Sequence, residues 1–297
     1  MKLKNSTYAA AVFVFLIAGV FPSAAQPGSV NPIADTAVAL HHTFVLHIKA
    51  ESNGVTYPIF VCLPGSYYYT KKSYPVIYML DAYSSFGIMT QMQHLLAFDK
   101  EVPEAIIVGI SSQGGSKEFI YNRARDYTPT FIPQDSLPSF VKSMTPVSGG
   151  ASKFLQFIKD QLIPDVETKY RADKNDKTLV GHSFGGLFCF YTLFKEPELF
   201  NRYIILSPAL LWDNSYALKH EKIFSEEHKS LPVKIYTAVG SLEPDYIKSE
   251  WQKLISAIRS RNYSGLSLKD EVLPGETHYT MIPFMSTHGL KYVLGNE

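Results

Sequence analysis

An α/β fold built on a mostly parallel sheet with helices on both faces is the class this sequence predicts. Three observations point to it. Short apolar runs alternate with longer helical patterns along the chain, as strand–helix–strand crossovers require. The runs Pro75–Leu80 and Ala105–Ile110 are continuously apolar, which suits strands covered on both faces. Ahead of them, Thr43–Lys49 and Val55–Leu63 flank the turn signal Ser52-Asn53-Gly54, so an antiparallel hairpin should sit on one edge.

In chain order, Pro64-Gly65 ends the hairpin, and Pro75–Leu80 and Ala105–Ile110 follow as buried strands. Ser152–Tyr170 carries Phe154, Phe157, Ile158, Leu162, Val166 and Tyr170 at helical spacing, and Pro164 inside it predicts a kink. Thr178–Val180 is a strand leading into Phe184–Phe194, a helix apolar nearly all round and therefore deeply buried. Tyr203–Leu206 and Val233–Ala238 continue the strand series, Tyr246–Arg261 is a helix, and Ser267–Leu273 is a last strand before a helix over His278–Leu294. The stretch 127–150 has no clear period and holds Pro129, Pro133, Pro138 and Pro146. It reads as a loop or a short lid over a site.

The first residues read as an address. Lys2 and Lys4 precede the apolar run Ala9–Phe21, and Pro22-Ser23-Ala24-Ala25 supplies the small residues of a cleavage site. The run is shorter than the roughly 20 apolar residues of a spanning helix, so residues 1–25 are expected to be a signal peptide. Residues 26–40 then form a linker, residues 41–297 form one domain, and the mature chain is periplasmic or secreted with no stable membrane insertion. The 297 residues carry Lys+Arg 28 against Asp+Glu 27. That balance leaves no bulk basic field for nucleic acid. Cys62 and Cys189 cannot build a disulfide scaffold or a four-ligand zinc site. They lie in different elements and are expected to be two buried free thiols. No metal-ligand spacing is present, and no metal or organic cofactor is expected.

The strongest chemical signal is Gly181-His182-Ser183-Phe184-Gly185-Gly186, which closes a short apolar strand and opens a helix. That is the context of a G-x-S-x-G nucleophile elbow. The serine occupies a strained strand-to-helix turn, small residues flank it to avoid collisions, and the helix N-terminus behind it offers amide donors. A serine hydroxyl needs a base, and the base needs an orienter. Of the histidines after Ser183, His220 and His228 flank the charged stretch Glu221–Lys229 and read as solvated surface. His288 lies within the last helical pattern, and His278 stands in the loop after the last strand, where the base belongs. For the acid, Glu243 follows a buried strand at the right distance, with Asp245 and Asp213 as alternatives. The oxyanion hole needs two amide donors. Phe184 N–H is one by position, and Tyr83 or Ala82, in the loop after the third strand, is the other.

Five segments in order carry a family resemblance: Tyr74–Asp81, Arg123–Pro129, Ser148–Ala151, Gly181–Gly186 and Leu206–Asn214. The chain resembles the esterase D-like group of α/β hydrolases, in the branch containing siderophore trilactone esterases, from about Thr43 to Leu294. The resemblance implies an α/β-hydrolase fold with Ser183 as nucleophile, His278 as base and an acid in Gly240–Glu243, which supports Glu243. Many relatives have Asp-Gly where this chain has Asp81-Ala82. Arg123 and Asp126 are read as an ion pair anchoring the lid loop. Arg123, Arg125 and Trp212 are also candidate substrate contacts, and Tyr67-Tyr68-Tyr69 could line an aromatic cleft. The expected activity is exported serine carboxylic-ester hydrolysis of a small-molecule or glycan-linked ester, with siderophore-type esters favoured. The alternatives are a carbohydrate esterase of feruloyl or acetyl-xylan type, an acyltransferase on the same scaffold, and a catalytically silent binding protein.

Overall fold

The computed structural model describes residues 40–136, 142 and 147–295. The expected signal peptide and most of the linker lie outside the described residues, as does part of the expected lid. Eight strands form one sheet: β1 (Thr43–Lys49), β2 (Thr56–Cys62), β3 (Tyr74–Met79), β4 (Ile106–Ile110), β5 (Ala172–His182), β6 (Arg202–Leu206), β7 (Lys234–Gly240) and β8 (Ser267–Leu273). Their order across the sheet is β1-β2-β4-β3-β5-β6-β7-β8. The pairs β1–β2 and β2–β4 are antiparallel, and every later pair is parallel.

Period-2 alternation sends neighbouring residues to opposite faces of the sheet, and each face has its own core. Tyr78, Leu80, Tyr203, Ile205, Ile235 and Val239 point to one side. There they meet α2 (Ser116–Tyr127), α3 (Ala151–Phe157), α4 (Ile163–Lys169), α5 (Phe184–Lys195), α6 (Trp212–Glu227) and α7 (Asp245–Arg261). Ile77, Met79, Ile204, Leu206, Tyr236 and Ala238 point to the other side. They meet α1 (Ala82–Phe98) and the C-terminal segment with α8 (Ile282–Phe284) and α9 (Leu290–Leu294). The α/β-hydrolase architecture with its antiparallel edge is therefore present, with helices on both faces.

Several elements differ from expectation for identifiable reasons. Helix α1 has no sequence signature, because its buried face includes Ser85, Thr90 and Gln93, while Leu95 and Phe98 are exposed. Gln93 is satisfied inside by donating Nε2–H to Pro103 O at 3.0 Å. Helix α2 is masked by charge, because the residues it buries include Asp126. The stretch around α6 was expected as solvated surface, yet Glu221 is fully buried. Its carboxylate accepts bonds from Arg261 Nε (3.0 Å), Arg261 Nη2 (3.1 Å) and Tyr263 Oη (3.0 Å).

The kink expected at Pro164 appears as a π turn over Ile158–Leu162, where Ile163 N–H donates to Ile158 O. Proline removes the regular donor and crowds the carbonyl four residues back, and the wider turn relieves both. The expected helix from His278 begins only at Ile282 and contains a π segment, Met285–Gly289. Both cysteines are free thiols, Cys189 buried and Cys62 half-buried. Burial pushes the Cys62 thiol up to about 11.

Candidate active site

Ser183 joins β5 to α5 with φ 59° and ψ −117°, a conformation rare for a residue with a side chain. The turn is held from both sides: Ser183 N–H donates to Leu206 O (3.0 Å), and Ser183 O accepts from Leu187 N (3.0 Å) and Ala209 N (3.0 Å). Of the flanking glycines, Gly181 is a steric necessity and Gly186 is tightly placed. A Cβ on Gly181 would lie 2.3 Å from Gly185 O and 2.7 Å from Cys189 Sγ. One on Gly186 would lie 3.0 Å from the Pro208 Cα.

His278 reaches the site from the turn after β8. Its Nδ1 is 2.8 Å from Glu243 Oε2, and its carbonyl oxygen is 2.7 Å from His182 Nε2. Glu243 arrives by a tight turn after β7: Glu243 N–H donates to Gly240 O (3.1 Å), and Gly240 N–H donates to Glu243 Oε1 (2.8 Å). Leu242 N–H bonds Glu276 O (3.0 Å), and Gly275 N–H bonds Ser241 Oγ (2.8 Å), so the acid turn and the histidine turn are tied together. A Cβ on Gly240 would stand 2.3 Å from Glu276 O, which is why the strand ends on glycine.

Glu243 is buried, which alone would raise its pKa. The bonds from His278, Ser207 Oγ (2.5 Å) and Gly240 N–H outweigh burial and hold the carboxyl below its ordinary value. Ser207 itself is fully buried in a left-handed conformation, φ 45°. The other acid candidates sit elsewhere. Asp245 is in the first turn of α7 with its side chain 99% exposed, paired with Lys248 at 3.1 Å. Asp213 belongs to a run of left-handed residues, Asp213, Asn214 and Ser215, that breaks the start of α6. His288 lies 3.3 Å from Glu271, outside this cluster.

The loop expected after β3 is the start of a helix. Asp81 takes the left-handed conformation (φ 57°, ψ 33°), and Ala82 and Tyr83 form the first turn of α1. The conformational demand thus falls on Asp81, and Ala82 is an ordinary helical residue. Its methyl is accommodated because the facing residue is Gly109, where a Cβ would lie 2.6 Å from Ala82 Cβ. The starts of α1 and α5 adjoin: a Cβ on Gly185 would be 3.3 Å from Asp81 Oδ2. The first amides of a helix have no intrahelical partner, so the Phe184 amide and those of Ala82 and Tyr83 belong to two neighbouring positive helix ends.

Arg123 does not pair with Asp126. Its Nε and Nη2 donate to Asp81 Oδ1 (2.6 Å) and Oδ2 (3.0 Å), and Nη2 also bonds His182 O (3.2 Å). Asp126 instead pairs with its neighbour Arg125 at 2.7 Å and accepts from Tyr57 Oη at 2.9 Å. Sequence adjacency misleads here, because α2 turns Arg123 toward the β3 end and Asp126 toward β2. Trp212 is buried, donates Nε1–H to Thr130 Oγ1 (3.0 Å) and meets the Phe184 ring edge-on at 5.7 Å. Of the tyrosine run, Tyr68 and Tyr69 are exposed beyond the β2 end of the hairpin, and Tyr67 packs on Tyr74. That is the sheet end opposite Ser183, so the run does not line this cleft. The exposed apolar side chains nearest the cluster in sequence are Tyr83, Leu242 and Tyr279.

Fold and elbow together place the chain among the α/β-hydrolase serine hydrolases. The family model described as "Putative esterase" matches residues 50–288. The chain belongs to that family and is a serine esterase. It is 32% identical over 274 residues to the ferri-bacillibactin esterase BesA of Bacillus subtilis (strain 168), spanning 89% of this chain and 93% of that one. Among solved structures it resembles the BES protein of Bacillus cereus, with 28% identity and a TM-score of 0.78 over 88% of this chain and 99% of that one. An IroE-like serine hydrolase of Shewanella oneidensis gives 25% identity and a TM-score of 0.75 over 85% and 80%.

Proposed function

We propose that this esterase hydrolyses siderophore-type esters through an acyl-serine intermediate. In this reading, Ser183 Oγ bonds to the ester carbonyl carbon while His278 Nε2 takes its proton. The carbonyl electrons move onto oxygen, and the resulting oxyanion is met by the Phe184 amide and by the Tyr83 or Ala82 amide. Collapse breaks the bond to the alkoxy oxygen, which leaves with the proton from His278. Water then gives a proton to the same histidine and adds to the acyl carbon, and the bond from that carbon to Ser183 Oγ breaks as the proton returns to Ser183, releasing the acid. Glu243 holds the imidazole tautomer and balances its charge.

The observation that carries the mechanism is the 2.8 Å bond that His278 Nδ1–H donates to Glu243 Oε2, beside the strained Ser183. No hydrogen bond joins Ser183 to His278 among the described residues, and such contacts often tighten only with substrate bound. The substrate reading is supported by the similarity to a ferri-bacillibactin esterase and by the exposed Tyr83, Leu242 and Tyr279 beside the site, which suit apolar or aromatic arms. A fluorophosphonate should label wild type at Ser183 and leave Ser183→Ala and His278→Ala unlabelled. A trilactone siderophore should be turned over in preference to methyl ferulate and acetylated xylan. Turnover of the xylan ester alone would reject the siderophore reading.

A further inference from the structure

One buried titratable side chain beside the proposed base has no part in the mechanism above. His182, between Gly181 and Ser183, is only 7% exposed. Its ring lies 4.5 Å from that of His278, centroid to centroid, with the planes tilted by 48°. Its Nε2 is 2.7 Å from the His278 carbonyl oxygen. A carbonyl only accepts, so Nε2 carries the proton. Burial, together with nearby His278 and Arg123, pushes the His182 pKa well below its ordinary value, and the ring is neutral. The His182 main chain is itself fixed, by strand pairing to Leu206 and by Arg123 Nη2 on its carbonyl.

Resting on the assignment of Ser183 and His278 proposed above, we infer that His182 is a positioning residue that pins the main chain of His278. Glu243 fixes the imidazole at one atom only. A ring held at Nδ1 still moves with its backbone, and His278 sits in a turn rather than in a strand or helix. The bond to the carbonyl supplies the second fixed point. It also refers the base to the end of the strand that leads into the nucleophile, so the Ser183–His278 separation is set by His182 and the residue that follows it. Misplacing a reacting group by about 1 Å costs about 100-fold in rate.

Three variants test this, with p-nitrophenyl acetate as substrate. Gln places an amide nitrogen where the imidazole Nε2 stands. Asn is shorter by one methylene, and Leu keeps the volume without a donor. His182→Leu and His182→Asn should lose kcat by about 10- to 100-fold with KM within about twofold, and His182→Gln should stay within about fivefold of wild type. A folded Leu variant that matches wild type overturns the proposal. If the Leu chain does not fold, the Gln and Asn variants carry the decision: equal rates overturn the proposal, and a Gln rate well above Asn supports it. Absence of fluorophosphonate labelling of wild-type Ser183 would sink the esterase mechanism and this inference together. Normal labelling with equal Gln and Asn rates sinks the inference alone.

Discussion

At the scale of single residues, the site is a set of hydrogen bonds with little redundancy. Glu243 depends on Ser207, whose left-handed backbone aims its hydroxyl at Oε1. Ser207→Ala should cost about 1.5–3 kcal/mol, as for a bond to a charged group, and should lower kcat. Its pH signature has a definite sign. The Glu243 carboxyl is held below its ordinary value of 4.5, so it stabilises the fold above that value, and the contribution is lost as pH falls through the lowered pKa. Losing Ser207 weakens the depression, and acid unfolding followed by circular dichroism should move to higher pH.

Arg123→Gln separates two readings of that arginine. As the counter-ion of nearly buried Asp81, its loss should destabilise by about 3–5 kcal/mol and lower the melting temperature. A pure substrate contact would raise KM and leave melting unchanged. Ser183, His278 and Glu243 were all legible as candidates from motif and chain order. Ser207 and His182 were not, because what distinguishes them is a backbone angle and a through-space contact.

At the scale of elements, the turn between β5 and α5 stores strain that the rest of the fold holds in place. Ser183→Gly removes the Cβ from a positive-φ position and should raise stability by about 1–2 kcal/mol while abolishing esterase activity. Ser183→Ala should abolish activity without the gain, and paired thermal melts compare them. The strands were legible because buried parallel strands are runs of apolar residues, and β1 and β8 match their expected limits. Helix α5 was legible for the same reason. Helices α1 and α2 escaped because their buried faces mix polar side chains with apolar ones, and the partners of polar groups such as Gln93 and Arg123 (Pro103 O and Asp81) lie outside the helix that carries them.

At the scale of the whole molecule, two cores share one sheet. Phe188 belongs to one and Leu290 to the other, and both are fully buried. Phe188→Ala should cost about 3–5 kcal/mol and Leu290→Ala about 2–5 kcal/mol. Because strands β2 to β8 contribute to both faces, each substitution should lower the same single transition in denaturant rather than split it. Two separate transitions would show that the cores unfold independently.

By itself the sequence determined the order of the strands, the antiparallel edge, the serine at its elbow and the histidine after the last strand. These follow from local causes: side-chain period, apolar runs, and glycines where no Cβ fits. Only the tertiary structure decided which acid meets His278, which carboxylate meets Arg123, and where the left-handed residue falls in the turn after β3. Those choices depend on contacts between segments far apart in the chain, the turn after β7 against the turn after β8 and α2 against the end of β3. No local pattern encodes which of two nearby carboxylates such a contact will reach.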